Sequence, residues 1–532
     1  MTMKQIYCNG TILTMEEDSL YTEAVLVEDG RIVATGNCKE LEERAPQARR
    51  VDLQGAAMLP GFIDAHSHFS GLAYGQLQVG LEDAKDLEEV RRRITAFMEE
   101  RQVQPGEWIC AKGYDHNLFL DGKPPSLAFL DQCAPQNPLV LQHKSGHMGV
   151  FNSCALKQLG VTEQTEAPKG GVIGREEGKL TGYMEENAFI KYLKQMPMPD
   201  LSMLTDACQK AQERYAGFGI TTVQDGMMVE QMIPLYRHWL QRDVLHLDVV
   251  GYPAADALDV MEEAFPESMG KYDRNFRIGG IKVILDGSPQ GRTAWMRTPY
   301  QQQEGYYGYG TMEDEEVEGA LVKAAEKKLQ ILAHCNGDAA AAQYIRCVKE
   351  AEERYPEFRK LRPVMIHAQL LGLDQLAQVK KLGIIPSFFA AHVYHWGDVH
   401  RKNFGEERAA MISPMASAIK EGIRFMLHQD SPVIEPDMLE TVWCAVSRKT
   451  RSGRVLGERE ALTVLEALKA VTINGAYQYS EEQEKGSIRA GKRADFVILD
   501  RNPLAVETDE IPKIRVLQTI KDGEVLFPMV QE

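Results

Sequence analysis

Eight short apolar runs alternate with helix-patterned segments through the middle of this chain, and that alternation restricts the fold more than any other feature. The runs are Leu59 to Ala65, Ile220 to Gln224, Leu245 to Gly251, Gly280 to Leu285, Leu329 to Ala333, Pro363 to Ile366, Ile384 to Phe389 and Ile423 to Leu427. Helical patterns precede several of them, as at Glu315 to Lys328 and Asp374 to Leu382. Parallel strands need a long return crossover, usually a helix, so this order predicts a parallel α/β sheet. Eight such units make a (β/α)8 TIM-like barrel, whose chemistry collects at the C-terminal ends of the strands.

Both ends of the chain read differently. Gln5 to Cys8 and Thr11 to Thr14 flank Asn9-Gly10, a hairpin-type turn, and Ala24 to Val27 and Arg31 to Ala34 flank Asp29-Gly30. Near the C-terminus, Ala494 to Asp500 and Ile514 to Thr519 read as strands, and Asp522-Gly523 leads into Val525 to Phe527. The simplest arrangement pairs residues 1–58 with 480–532 in a small β-sandwich domain, with the barrel domain at 59–479 between them. The stretch between the first two barrel strands is far too long for a barrel loop. It predicts an insertion subdomain at about 75–200, with a helix near Leu87 to Arg101, over one side of the barrel mouth.

The 532 residues are 44% hydrophobic and 26% charged, as in soluble globular proteins, and ample for a large core. A formal net charge of -17 argues against nucleic-acid binding, which calls for a basic patch. No apolar stretch approaches membrane-spanning length, and the first residues carry no signal core. Nine dispersed cysteines without CxxC spacing point to reduced thiols in the cytoplasm.

Polar residues at the strand ends carry the chemistry. The first run ends in Asp64-Ala65-His66-Ser67-His68. Strand side chains alternate faces, so His66 and His68 point the same way and can offer two nitrogens to one metal ion. Lys282 lies in the fourth run, His334 ends the fifth, His367 ends the sixth, and Asp430 follows the eighth. Singly, each has an ordinary explanation: a satisfied core histidine, a snorkelling lysine, an aspartate capping a turn. Four histidines, a lysine and an aspartate at the same ends of barrel strands together point to a metal site.

That set, in that order, resembles the metal site of the amidohydrolase superfamily. Val51-Asp52-Leu53-Gln54-Gly55 before Leu59-Pro60-Gly61-Phe62-Ile63-Asp64 resembles the family's lead-in, and Lys485 to Phe496 its late signature. Within the superfamily the chain is most similar to the N-substituted formamide deformylase-like (YtcJ-like) branch. The segments that carry this are Gly146 to Leu156, Gly170 to Arg175, Asp286-Gly287-Ser288 and Gln429-Asp430-Ser431-Pro432-Val433.

The resemblance implies a metal-dependent hydrolase of a C–N bond, amide or formamide-like, in a small molecule. It implies one or two divalent ions, with zinc foremost. In a binuclear site His66, His68 and Asp430 hold one ion, His334 and His367 the other, and Lys282, carboxylated by CO2, bridges them. Asp430 is also the general base and acid for an activated water. A single-ion site would leave Lys282 a plain lysine and fit a deaminase on the same fold, and a non-catalytic scaffold is the third reading.

Around that centre, His147 and Glu186 resemble branch positions. His147 would reach the substrate, and Glu186 would be a ligand, a supporting acid or a surface helix charge. Asp338 could cap the following helix or hydrogen-bond a ligand histidine. Tyr114, Tyr307, His395 and Trp396 are candidate substrate contacts or loop packing, and Arg292 could bind a substrate carboxylate. A homodimer is the expected assembly.

Overall fold

The computed structural model describes residues 4–116, 119, 122, 124–197 and 200–528. They form two compact units, Met1–Gly71 with Ala211–Glu532, and Leu72–Lys210.

In the first unit, the parallel strands are β1 (Phe62–Ile63), β2 (Ile220–Met228), β3 (Asp248–Pro253), β4 (Phe276–Ile278 continuing as Gly280–Ile284), β5 (Gln330–Cys335), β6 (Val364–His367), β7 (Ile385–Phe388) and β8 (Met426–Leu427). Each pairs in parallel with the next in chain order. β4 is broken at Gly279, where an added Cβ would meet Val250 Cγ1 at 2.7 Å and the Tyr252 ring at 3.0 Å. Its first half pairs with β3 and its second with β5, and a parallel bridge from Ala254 to Lys282 spans the break. Beyond the strands, Asp430 N donates to His66 O at 3.2 Å and His68 N to Ser431 O at 2.7 Å, which joins the segment after β8 to that after β1. The result is TIM-barrel-like. Ile63, Val250, Leu332, Val364, Ile366, Ile385 and Met426, one or more from most of the strands, share one buried core.

Both chain ends build two further sheets in this unit. One has the order 31–36, 24–28, 4–8, 49–52; the other 524–527, 516–521, 496–499, 57–60, 11–13, 21–22. Tyr7, Val25 and Val27 of the first sheet share a core with Ile12, Met58, Phe496, Ile498 and Ile520 of the second. The turns at Asp29-Gly30 and Asp522-Gly523 close hairpins as expected. The Asn9-Gly10 turn does not. Lys4–Cys8 pairs with 24–28 and 49–52, whereas Thr11–Leu13 pairs with 21–22 and 57–58, so the chain changes sheets at the turn. Gly10 lies so close to Ala56 that a Cβ would stand 2.4 Å from its carbonyl oxygen, and Thr11 N donates to that oxygen. The apolar run Leu59 to Ala65 is likewise divided: Ala57–Pro60 pairs antiparallel with Phe496–Leu499, and only Phe62–Ile63 enters the parallel set.

Under the N-terminal end of β3, Asp248 is fully buried among cations. Lys485 forms an ion pair with it, Lys521 Nζ lies at 3.1 Å and Arg493 at 3.4 Å. This cluster links the parallel strands to the C-terminal segment.

The second unit has one six-stranded sheet, ordered 171–176, 179–185, 148–151, 139–143, 109–114, 79–80. Its helix Leu87–Arg101 starts at Asp86, whose carboxylate accepts from Glu89 N at 2.8 Å, and buries Val90 and Ile94. Those side chains pack with Ile109, Ala111, Leu139 and Leu141, while Val140, Phe151, Ala155 and Phe189 form a second core. Among the described residues no helix is long and apolar enough to cross a membrane.

Candidate metal centre

Every strand-end residue singled out in the sequence lies at the C-terminal side of the parallel strands. His66 and His68 follow β1, Lys282 is the third residue of the second half of β4, His334 is the penultimate residue of β5, His367 ends β6, and Asp430 follows β8. The pairing of Ile284 with His334, and of Cys335 with His367, sets their levels. His367 and Asp430 both have left-handed backbone, with φ of 70° and 59°. Such conformations are costly for non-glycine residues and cluster at functional sites.

The side chains converge. Asp430 Oδ1 lies 3.2 Å from His68 Nε2 and 3.4 Å from His66 Nε2, and Oδ2 lies 4.0 Å from His367 Nε2. His367 Nε2 faces His334 Nδ1 at 3.1 Å, and Lys282 Nζ is 3.2 Å from His66 Nε2. His66, His367 and Lys282 are nearly inaccessible to water, whereas the His68 side chain keeps 36% exposure and so forms the open edge.

Hydrogen bonds behind the site decide which ring nitrogens are free. Gln224 donates its amide to Ala65 O at 2.8 Å and to Tyr479 Oη at 3.0 Å, so its Oε1, 2.6 Å from His66 Nδ1, accepts the proton held there. His66 Nε2 is left as a lone pair facing Asp430. His334 Nε2 lies 2.9 Å from Asn336 Nδ2, which itself donates to Gly287 O, and His334 Nδ1 faces His367. His367 Nδ1 lies 3.1 Å from His428 Nε2, and His428 Nδ1 lies 2.9 Å from Ser387 Oγ. Asp286 accepts backbone N–H bonds from Asn336, Gly337 and Trp295, fixing the turn after His334.

Burial disfavours the charged forms of His66, His334, His367, His428 and Lys282. Burial, then the nearby Lys282 ammonium, holds His66 well below the usual histidine range and His334 down at about 4. Burial and the neighbouring rings do the same for His367, and burial brings His428 to about 3. Burial also pushes Lys282 down to about 7. For Asp430 burial acts upward, but His68, His428 and Lys282 outweigh it and hold the carboxyl below its ordinary value.

Imidazole nitrogens gathered around one carboxylate fit a divalent cation. Ligand atoms bonded to tetrahedral zinc stand roughly 3.3 Å apart. The His68–Asp430, His66–Asp430 and His334–His367 separations of 3.2, 3.4 and 3.1 Å match that spacing. Asp430 Oδ1 is buried without an aligned hydrogen bond, as an oxygen waiting on a cation would be.

The chain belongs to the amidohydrolase family. Residues 49–527 match that family, which makes this protein a hydrolase of carbon–nitrogen bonds. YtcJ of Bacillus subtilis strain 168 is 28% identical to this amidohydrolase over 539 residues, covering 99% of both chains. N-substituted formamide deformylase of Arthrobacter pascens is 28% identical over 543 residues, 98% of this chain and 97% of its own. A structure titled as an uncharacterized metal-dependent hydrolase from Pyrococcus horikoshii OT3 superposes with a TM-score of 0.78 at 24% identity, over 95% of this chain and 99% of its own, which speaks to the fold.

The other candidates of this amidohydrolase fall into three groups. Phe389 follows β7 with its ring 5.3 Å from His428, and Trp396 lies 6.0 Å beyond Phe389, so an aromatic wall adjoins the histidines. His395, the residue before Trp396, lies 2.8 Å from Glu440 and 3.1 Å from Arg451. Arg292 donates to Asn403 at 2.8 Å, Asp338 binds Arg297 at 2.8 and 2.9 Å at the start of its helix, and Tyr307 is exposed. In the second unit, His147 Nδ1 and Glu186 Oε2 are 3.0 Å apart and largely exposed, whereas Tyr114 is in that unit's core.

Three functional residues escaped the sequence reading. His428 stands two residues before Asp430, the same spacing that marked His66 and His68, so the signal was present. Gln224 ends the second apolar run, but an uncharged amide there carries no metal signal. Asp286, in the sequence only part of a branch segment, follows β4 and supports the residues after His334, a contact placed by the register of β4 with β5.

Proposed function

We propose that this amidohydrolase hydrolyses an amide-type C–N bond in a small molecule, with N-substituted formamides as the first class to test. The convergence of His66, His68, His334, His367 and Asp430, with ring nitrogens turned inward, carries this reading. The formamide class is suggested by the name of the Arthrobacter relative, and the Phe389–Trp396 wall suits an apolar nitrogen substituent.

His66, His68 and Asp430 would hold one divalent ion, His334 and His367 a second, with zinc the best match to a nitrogen-rich donor set. Lys282, buried beside His66, would bridge them after its free amine adds CO2 to become a carbamate and releases a proton. Divalent ions at such a centre polarise a carbonyl and bring the pKa of water to about 7. Asp430 would take the proton from the attacking water and give it to the leaving nitrogen, so that water and amide yield acid and amine. The Gln224 and His428 hydrogen bonds keep His66 and His367 in the one tautomer that points a lone pair at the site. The closed barrel and the terminal β-sandwich are part of this reading. The hydrogen bonds between the segments after β1 and β8, and the core shared by the two terminal sheets, support them.

The test pairs elemental analysis of purified protein with turnover of a library of formamides, amides and carbamates by wild type, His66→Ala and Asp430→Asn. Wild type should contain at least one ion per chain and release an amine, and both variants should lose turnover. Retention of metal and hydrolysis in both variants would sink the assignment.

A further inference from the structure

The second unit holds another group of metal-type side chains, formed where two parallel strands end side by side. Ile109–Tyr114 pairs with Leu139–His143 so that Tyr114 stands opposite His143. Asp115 and His116, which immediately follow the first strand, therefore meet the last residue of the second. One ligand atom each from Asp115, His116 and His143 lies within 4.8 Å of the other two. His143 Nε2 is 3.7 Å from Asp115 Oδ1, and the two imidazole centroids are 5.4 Å apart.

Protein contacts leave both rings incomplete. His143 is 9% exposed, and its Nε2 is buried without a hydrogen-bond partner; His116 Nδ1 is in the same position. Two orphaned ring nitrogens beside one carboxylate require an explanation, because buried polar atoms in native proteins are nearly always satisfied. A histidine–aspartate hydrogen bond does not supply it, since 3.7 Å exceeds hydrogen-bonding range and His116 would still lack a partner. The surroundings suit a cation. Lys144 Nζ lies 3.8 Å from Asp115 Oδ2, and Oδ1 lies 3.7 Å from His143 Nε2. Ser145 N donates to His143 Nδ1 at 3.0 Å and Ser145 Oγ lies at the same distance, so a metal on Nε2 would shift the ring proton to Nδ1, where Ser145 Oγ can accept it. Tyr114 packs edge-on against the His143 ring at 5.2 Å and holds its plane.

We propose that Asp115, His116 and His143 form a second divalent transition-metal site, separate from the hydrolytic centre and filled by zinc or cobalt. Two imidazoles and one carboxylate match the donor preference of these ions and leave coordination positions open to water or a ligand. Closing the three atoms from 4.8 Å to about 3.3 Å takes small side-chain rotations. The ion would pin the ends of the two parallel strands, so binding should stabilise this unit.

The experiment uses full-length protein stripped with a chelator and titrated with Zn2+ by equilibrium dialysis, with metal counted by elemental analysis. His116→Ala/His143→Ala should bind one ion per chain fewer than wild type. His66→Ala/His68→Ala should keep that ion, with Co2+ in its place giving visible absorption that Asp115→Asn abolishes or shifts. Crystals soaked in Zn2+ should show an anomalous peak between Asp115 and His143. An unchanged ion count in both His116→Ala/His143→Ala and Asp115→Asn, or no anomalous peak at this position, would overturn the proposal. Failure of the hydrolytic centre would look different, because His66→Ala/His68→Ala would then bind as many ions as wild type.

Discussion

His367 Nδ1 and His428 Nε2 lie 3.1 Å apart, and the far nitrogen of His428 lies 2.9 Å from Ser387 Oγ. All three side chains are buried. The contact has one proton order that suits a cation: His367 donates from Nδ1 to His428, and His428 donates from its own Nδ1 to Ser387. His367 Nε2 is then free toward His334. Partners that orient a ligand imidazole typically contribute 10- to 100-fold in metal affinity.

His428→Ala should therefore weaken metal binding by about 10- to 100-fold. His428→Gln, whose carbonyl can still accept from His367, should recover part of that loss. Competition against a chromophoric chelator reads the affinity, and circular dichroism checks that both variants fold. Equal affinity in wild type and the alanine variant would remove His428 from the centre.

Asp430→Asn separates proton transfer from metal binding. Asparagine keeps an oxygen where Oδ1 lies, near His66 and His68, but it is a far weaker base. Turnover should fall by about 10²- to 10⁴-fold, the usual contribution of general acid–base catalysis. The drop should appear in kcat more than in KM, measured as amine release. A variant with near-normal kcat would assign the proton transfer to another group.

The legible part of this protein was the part written in local periodicity. Apolar runs bounded by polar residues exposed the parallel strands, and a histidine at the end of such a run sits at the mouth by construction. Pairing was harder. Asn9-Gly10 has the composition of a hairpin turn, yet the contact of Gly10 with Ala56 sends the next strand into the other sheet. Asp338 could by its position cap its helix or hydrogen-bond a ligand histidine, and at the helix start it binds Arg297. Asp286, 48 positions before His334 in the chain, holds the backbone just after His334 because β4 and β5 lie side by side. Gln224 is silent in the sequence for another reason: its role is to choose a tautomer, and no charge or ligand type announces that.

Leu332 tests the core that carries the centre. It is fully buried with Val250, Ile63 and Ile366, two residues before His334 on the same strand. Leu332→Ala should cost about 2–5 kcal/mol, the sum of lost burial and the cavity left behind. Urea unfolding followed by tryptophan fluorescence gives the value. A loss below about 1 kcal/mol would mean that the surrounding strands collapse into the space.

Asp248 should set the acid limit of stability. Burial alone would raise its carboxyl, but Lys485, Lys521 and Arg493 outweigh burial and hold it below the ordinary carboxylate value. A folded-state pKa lower than the unfolded one means that the unfolded chain binds the proton more readily. The stabilisation is then complete above the unfolded value of about 3.9 and disappears as pH falls through the lower folded value. Wild type should lose stability below about pH 4 more steeply than Asp248→Asn, which has no proton to take up at this position. At pH 7 the variant should be the less stable, by about 3–5 kcal/mol, because Lys485 and Lys521 stay buried without their shared partner. Urea midpoints from pH 3 to 7 for both proteins provide the comparison. Parallel curves across that range would show that the Asp248 cluster does not titrate on unfolding.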